Sequence, residues 1–321
     1  MKKTTTKSCC HVTSIKTAPI NTQAVSFAPS AIKPLLGQQV MIPQGSFLMG
    51  CHRDEGYVAD GEGPVREVSI DAFYMDAITV TNGDFQKFVH DTGYITDAEK
   101  YGWSFVFYQL LTPTGRQAIQ QVAPETPWWA AVKGACWKHP EGPGSAILTR
   151  MNHPVVHVSW HDAQAFCRWA GKALPTEAQW EYAARGGLVQ QRFPWGDELT
   201  PNGQHMCNIW QGKFPVENTQ LDGYIATAPA KSFPPNGYGL YNMVGNVWEW
   251  CEDWFTTAIS AKPQHEPTGP TTGAFRVMRG GSYLCHASYC NRYRVAARSK
   301  NSMESSSGNI GFRCVTPIQT N

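Results

Sequence analysis

The sequence predicts a mixed α/β fold of the α+β kind, low in regular secondary structure and built as one large domain. Twelve Trp, 29 Gly and 22 Pro in 321 residues, with only 16% charged, call for many turns and short elements around an aromatic core. Helix start and stop signals enclose only short stretches, and a run rich in β-branched and aromatic residues precedes them. No internal repeat or linker divides the chain.

Residues 1–35 are rich in Lys, Thr and Ser, carry only scattered apolar residues, and read as a disordered tail. Its basic start, Met1-Lys2-Lys3, lacks the apolar run of a secretory signal, so a cytoplasmic location is expected. Cys9 and Cys10 have no apolar segment before them and no ligand set beside them, and read as incidental. The single domain is expected over residues 36–321. Val68 to Val80 reads as one or two strands. Thr81 then caps a helix that carries Phe85, Phe88 and Val89 and stops at Gly93. Ser159 caps a second, with Ala163, Phe166, Cys167 and Trp169 before Gly171. Thr176 and Gln179 form a capping box for a third, carrying Trp180, Tyr182 and Ala183 and ended by Gly186-Gly187. Periodicity is poor between residues 94 and 152, and that Trp-rich segment reads as surface loops or part of a binding groove.

A net charge of +2 gives no reason to expect a nucleic-acid partner. No window approaches the roughly 18 apolar residues of a membrane helix, so no membrane partner is expected either.

Chemistry concentrates near the C-terminus, where Cys285 and Cys290 lie among paired glycines, Tyr and Arg. Their spacing puts the side chains on opposite faces of a strand and well apart around a helix, so convergence requires a turn. Converged thiolates can form a disulfide or hold a soft ion such as Cu(I); unconverged, the two are packing cysteines. His153, His157 and His161 suggest a metal array, but extended backbone and a helix start share them, so no one face presents all three. Calcium takes six to eight oxygen ligands, which loops supply from carboxylates, amides and carbonyls. Asn208 and Ile209 with Asp222 and Tyr224 offer one such set, and Asn242, Gly245, Val247 and Glu249 another, although Asn-Gly and Asp-Gly also mark plain turns. Cys51, Cys136, Cys207 and Cys251 show no metal spacing and read as packing residues.

The run Gly280-Gly281-Ser282-Tyr283, Cys285-His286, Ser288-Tyr289-Cys290 and Arg292-Tyr293-Arg294 is followed by Ala296-Ala297-Arg298-Ser299 and by Gly308-Asn309, Gly311-Phe312-Arg313-Cys314. Together these resemble the C-terminal signature of formylglycine-generating enzymes, or sulfatase-modifying factors. The likeness covers nearly the whole chain, through Met41 to Gly50, Asp71 to Asp76, Pro127-Trp128-Trp129, Lys138 to Gly142, His153 to Trp160, Leu174 to Tyr182, Phe193 to Gly196 and Gly245 to Trp250. Some of these words belong to a wider superfamily that includes binding modules and ergothioneine-pathway sulfoxide synthases. The iron ligands of those synthases come from a further helical domain for which this chain has no room. The paired cysteines are the narrower mark, and a paralogous branch lacks them.

The resemblance implies a single-domain fold related to C-type-lectin-like folds, and oxidation by dioxygen of a cysteine in a Cys-x-Pro-x-Arg-like segment of a sulfatase to Cα-formylglycine. It implies Cu(I) held by Cys285 and Cys290, with the substrate thiolate as a third ligand and an external thiol reductant. Ser282 and Tyr289 would steer oxygen or a proton, Trp248 would wall off water, and Arg298 and Asn309 would bind the peptide. Both oxygen sets would be Ca2+ sites. Cys167 and Cys314 match a bridge of some members; a second bridge of animal members falls on Ala184 and Val295, so both its partners are missing. Where some relatives carry Arg, this chain has Ala287, a change expected to shift peptide recognition. A non-catalytic peptide-binding module of the same fold is the alternative, and a metal-free dithiol oxidoreductase a third reading.

Overall fold

The computed structural model describes residues 37–318; the expected tail, with Cys9 and Cys10, lies outside the described residues. The chain opens with strands β1 (Gln39–Ile42), β2 (Gly45–Met49), β3 (Arg66–Ile70) and β4 (Phe73–Asp76), then helices α1 (Asn82–Thr92) and α2 (Asp97–Tyr101). Strand β5 (Trp103–Phe107), helix α3 (Pro113–Gln117) and strands β6 (Ile119–Val122) and β7 (Trp129–Lys133) follow, then helices α4 (Trp160–Ala170) and α5 (Glu177–Arg185). The remainder holds short strands: β8 (Gly212–Lys213), β9 (Glu217–Asn218), β10 (Trp248–Trp254), β11 (Gln264–His265), β12 (Arg276–Arg279), β13 (Arg298–Asn301), β14 (Ile310–Gly311) and β15 (Val315–Pro317). Long loops join them, as the Gly and Pro content requires.

The strands form small separate sheets, ordered β1-β4-β15, β13-β12-β10-β14, β11-β3-β2, β5-β7-β6 and β8-β9. β1 and β15 flank β4, both antiparallel to it. Helices α1, α4 and α5 start and stop where the caps place them. Thr81, Ser159 and Thr176 each close a capping box, and Gly93, Gly171 and Gly186 end the helices in the left-handed conformation. The run from Val68 to Val80 gives the end of β3 and all of β4.

Aromatic rings make much of the core between α1 and α4. Phe85 stacks on Phe166 at 6.1 Å, and Phe166 meets Phe312 edge-on at 5.4 Å, which fastens the C-terminal segment to both helices. Trp250 donates its indole N–H to the Val158 carbonyl at 3.1 Å, so β10 packs on the start of α4 with its polar atom satisfied.

The segment from 94 to 152 departs from the loop expectation. It contains α2, with a Thr96–Glu99 capping box, and the sheet β5-β7-β6, whose Phe105, Val106, Phe107 and Trp129 to Val132 are buried. β5 and β7 bury consecutive residues on both faces, so they lack the two-residue alternation that marks a half-exposed strand. Trp128, just before β7, meets the Phe214 and Tyr289 rings edge-on at 5.3 and 4.9 Å.

Helix α5 also buries charge. Glu177 holds Arg298 in a fork, at 2.5 Å from Nε and 2.9 Å from Nη2, while Glu181 takes Arg185 at 2.6 Å and Arg279. Burial pushes both carboxyls up, but the arginines outweigh it and leave them below the usual glutamate range. Pairing of this kind is what makes buried charge tolerable.

Candidate functional site

Strand β12 delivers the chain to Gly280 and Gly281, at φ 91° and 76°. A side chain at Gly281 would put its Cβ 2.8 Å from the Arg292 carbonyl oxygen, so only glycine lets the two limbs of this loop approach. Between the limbs, Cys285 donates its amide to the Ser282 carbonyl at 2.9 Å, and Ser282 N–H points to Cys285 Sγ at 3.4 Å. The His286 carbonyl then accepts amides from Tyr289, Cys290 and Asn291 at 3.0, 3.0 and 3.1 Å. One oxygen thus gathers three successive N–H groups and folds the segment into the turn that the cysteine spacing calls for.

Both cysteines are wholly buried. Tyr293, stacked on Phe193 at 6.1 Å, feels both: burial first, then the Cys290, Cys285 and Cys207 sulfurs, drive its phenol well above the ordinary tyrosine range. Cys207, read from sequence as a packing residue, therefore shares this neighbourhood. It is fully buried, and its thiol is pushed far up by burial and by Asp222.

The remaining candidates fall into two groups. Ser282 lies against the pair, and its Oγ accepts Asn309 Nδ2 at 2.9 Å, while Ser307 Oγ donates to Asn309 Oδ1 at 2.7 Å. The Asn309 carbonyl accepts the Trp248 amide at 2.9 Å, and Trp248, with no exposed surface, begins β10 there. Half-buried Tyr289 packs into an aromatic group, stacked on Phe214 at 4.5 Å and edge-on to Trp128 at 4.9 Å. Arg298, expected at the peptide, is only 4% exposed; besides its Glu177 fork, it donates to the carbonyls of Asp60, Gly61 and Thr256. Asn309, expected there too, is 1% exposed and its amide lies between two serines.

The two oxygen sets differ in their fit to calcium. Asn208 is buried and its Oδ1 has no hydrogen-bond partner in the protein, which makes it an acceptor that a water or a cation could satisfy. Asp222 sits against it through Ile209 N–H at 3.0 Å on Oδ2 and Tyr224 N–H at 3.0 Å on Oδ1. In the second set, Asn242 Oδ1 is likewise buried without a partner. Glu249 is not open in the same way: Arg313 grips both its oxygens at 2.7 Å and Trp180 Nε1 donates to it at 2.7 Å. Asp222 also accepts Gln211 Nε2 at 2.8 Å, so each carboxylate takes three hydrogen bonds; only uncharged donors hold Asp222, whereas an arginine already pairs with Glu249, and the first set is the better suited to calcium.

The three histidines go to three places. His153 meets Thr227, His157 lies between Ser104 and Pro140, and His161 meets Asp97. Among the described residues no group of three or more His, Cys, Asp or Glu side chains is arranged to hold a metal. Cys167 and Cys314, expected by resemblance to bridge, are thiols with sulfurs 3.6 Å apart.

Residues 26–318 match the sulfatase-modifying factor enzyme 1-like domain model. The chain belongs to this sulfatase-modifying factor family. It is 59% identical over 286 residues to a protein of Mus musculus named formylglycine-generating enzyme, covering 89% of this chain and 77% of that one. A formylglycine-generating enzyme of Thermomonospora curvata is 59% identical over 279 residues, covering 86% and 92%. A Bos taurus protein named inactive C-alpha-formylglycine-generating enzyme 2 is 45% identical over 280 residues, covering 86% and 87%. Among solved structures, PvdO from Pseudomonas aeruginosa aligns with TM-score 0.65 at 23% identity, over 88% of this chain and 95% of that one, a likeness of fold alone.

Within this sulfatase-modifying fold the sequence reading missed the residues that cross to the cysteine loop from the N-terminal part. Asp60 forks Arg292 at 2.6 and 3.0 Å, and Glu62 forks Arg294 at 2.7 Å on both oxygens. These partners lie 232 positions apart, and no local pattern signals such a pairing.

Proposed function

We propose that the protein oxidises a cysteine in a Cys-x-Pro-x-Arg segment of a sulfatase to Cα-formylglycine, with dioxygen as acceptor. The observation that carries the reading is the buried Cys285 and Cys290 pair in its turn, in a chain 59% identical to proteins named for this product.

The chemistry balances with one external reductant class. The substrate cysteine loses two electrons and two hydrogens to become a thioaldehyde, which water hydrolyses to the aldehyde with release of hydrogen sulfide. Two thiols give the other two electrons as they join in a disulfide. Dioxygen takes all four and becomes two waters, one of which the hydrolysis consumes.

Cys285 and Cys290 suit Cu(I), because thiolates are soft donors and both are hidden from solvent. Copper bound there would supply the one-electron and dioxygen chemistry that side chains lack. The chain's own groups do the rest. Ser282 N–H, aimed at Cys285 Sγ, favours the thiolate. Asn309 fills an acceptor position on Ser282 Oγ and turns the serine proton outward, where it can be donated. Trp248 keeps bulk water from the rear of the pocket, and Tyr289 with Trp128 and Phe214 forms an aromatic wall for an extended peptide. Ca2+ at Asn208, Ile209, Asp222 and Tyr224 would brace the loop that enters the site, since Trp210 N–H donates to the Cys285 carbonyl at 3.1 Å.

The test is mass spectrometry of a Cys-x-Pro-x-Arg peptide incubated in air with protein, Cu(I) and a thiol, beside the Cys285→Ser variant. Aldehyde from the wild type alone supports the oxidase. The 45% identity to a relative named inactive keeps a second reading, a peptide-binding module, which retention of unmodified peptide would favour. Turnover that survives a Cu(I) chelator would instead support a metal-free dithiol enzyme.

A further inference from the structure

We infer that Tyr57 is a positioning residue for Cys290, acting through the Tyr289 carbonyl; the inference rests on reading Cys285 and Cys290 as the reactive pair. Residues 55–62 lie alongside residues 289–294 and are tied to them repeatedly. Asn291 Nδ2 donates to the Glu55 carbonyl at 3.1 Å, and Asp60 and Glu62 fork Arg292 and Arg294. Tyr57 OH donates to the Tyr289 carbonyl oxygen at 2.7 Å.

That last bond differs from the others in what it holds. The Tyr289 carbonyl and the Cys290 amide belong to one planar peptide group. Its N–H is bound to the His286 carbonyl at 3.0 Å and its oxygen to Tyr57. A rigid plane held on both edges has little rotation left, and that rotation sets the direction of the Cys290 Cα–Cβ bond. The salt bridges lie beyond the cysteine and fix the outgoing strand of the loop, whereas Tyr57 acts on the peptide that carries the sulfur.

Tyr57 is itself fixed. The Arg292 guanidinium carbon sits 4.5 Å from the centre of its ring, and Asp60 holds that guanidinium. Gly56 before it allows the chain to turn close to Glu62; a Cβ there would meet the Glu62 carboxylate oxygen at 2.4 Å and disturb the Arg294 fork.

Tyr57→Phe keeps the ring over Arg292 and removes only the hydroxyl. In the full-length protein, metal-free and reduced, iodoacetamide alkylation is followed by mass spectrometry at each cysteine. Loss of one hydrogen bond is expected to quicken Cys290 alkylation about fivefold over wild type, with Cys251 and Cys314 unchanged. With substrate peptide, kcat is expected to fall while KM stays within about twofold, because the Tyr289 ring keeps its contacts with Phe214 and Trp128 when only its carbonyl is released. An unchanged Cys290 rate would overturn the inference, as would Cys251 and Cys314 rising in step with Cys290, the sign of general loosening. Alkylation is read without aldehyde formation, so failure of the oxidase reading and failure of this one are separate results.

Discussion

His157 has no exposed surface, with Nε2 2.8 Å from the Pro140 carbonyl oxygen and Nδ1 2.8 Å from Ser104 Oγ. A carbonyl only accepts, so Nε2 carries the proton of the neutral ring, while Ser104 Oγ, which also meets the Ser306 carbonyl at 3.1 Å, lies against Nδ1. Burial lowers the pKa of the ring from 6.5 to about 4 despite the Pro140 bond. Between those values the unfolded chain takes up a proton that the folded protein refuses. This contribution is present above pH 6.5 and is lost as pH falls toward 4, a change of about 3 kcal/mol. The urea midpoint of the wild type should therefore fall more steeply over that range than that of His157→Gln, measured at several pH values. Glu249 makes a second case. Replacing it with Gln leaves Arg313 buried beside a neutral group, and the expected loss is about 3 kcal/mol in urea unfolding at neutral pH.

Capping chemistry decides much at the level of single helices, and the caps do unequal amounts. Thr176 Oγ1 accepts Gln179 N–H, an ordinary cap whose removal in Thr176→Ala should cost about 1 kcal/mol. Ser159 Oγ accepts Asp162 N–H and also donates to Asp97 Oδ2 at 2.7 Å, which ties α4 to α2. Ser159→Ala should cost about 2 kcal/mol, and a larger shift than for Thr176→Ala in urea denaturation checks the difference. Helices α1, α4 and α5 were legible because polar caps, apolar spacing and terminal glycines are all local signals. α2 carries the same box at Thr96 and Glu99, but its five residues give no apolar period to confirm it. Strands β5 and β7 stayed hidden because burial on both faces erases alternation.

The molecule as a whole depends on loops, and loops with orphaned amide oxygens invite ions. Calcium at the Asn208 set should raise the thermal midpoint and EGTA should lower it. At about 100 times Kd the gain is about 2.7 kcal/mol, and Asn208→Ala should flatten the response in differential scanning fluorimetry. At the cysteine site the sequence placed Cys285, Cys290 and Ser282 in one short run, and the structure folds that run into a turn with both cysteines buried. It did not show Tyr57, Asp60 and Glu62, whose reach across the chain leaves no trace in local spacing. Nor did it show that Arg298 and Asn309 turn inward, since a polar residue looks the same in sequence whether it meets a ligand or its own protein. The pairing of β4 adds a consequence of its own. Gln39 lies opposite Asp76, and Pro317 opposite Phe73, so β1 is entered at one end of β4 and β15 is left at the other. Tension applied between residues 39 and 317 therefore pulls the two flanking strands in opposite directions along a common axis. Their hydrogen bonds are loaded together in shear instead of being peeled one after another, and the mechanical resistance of the fold resides in β4.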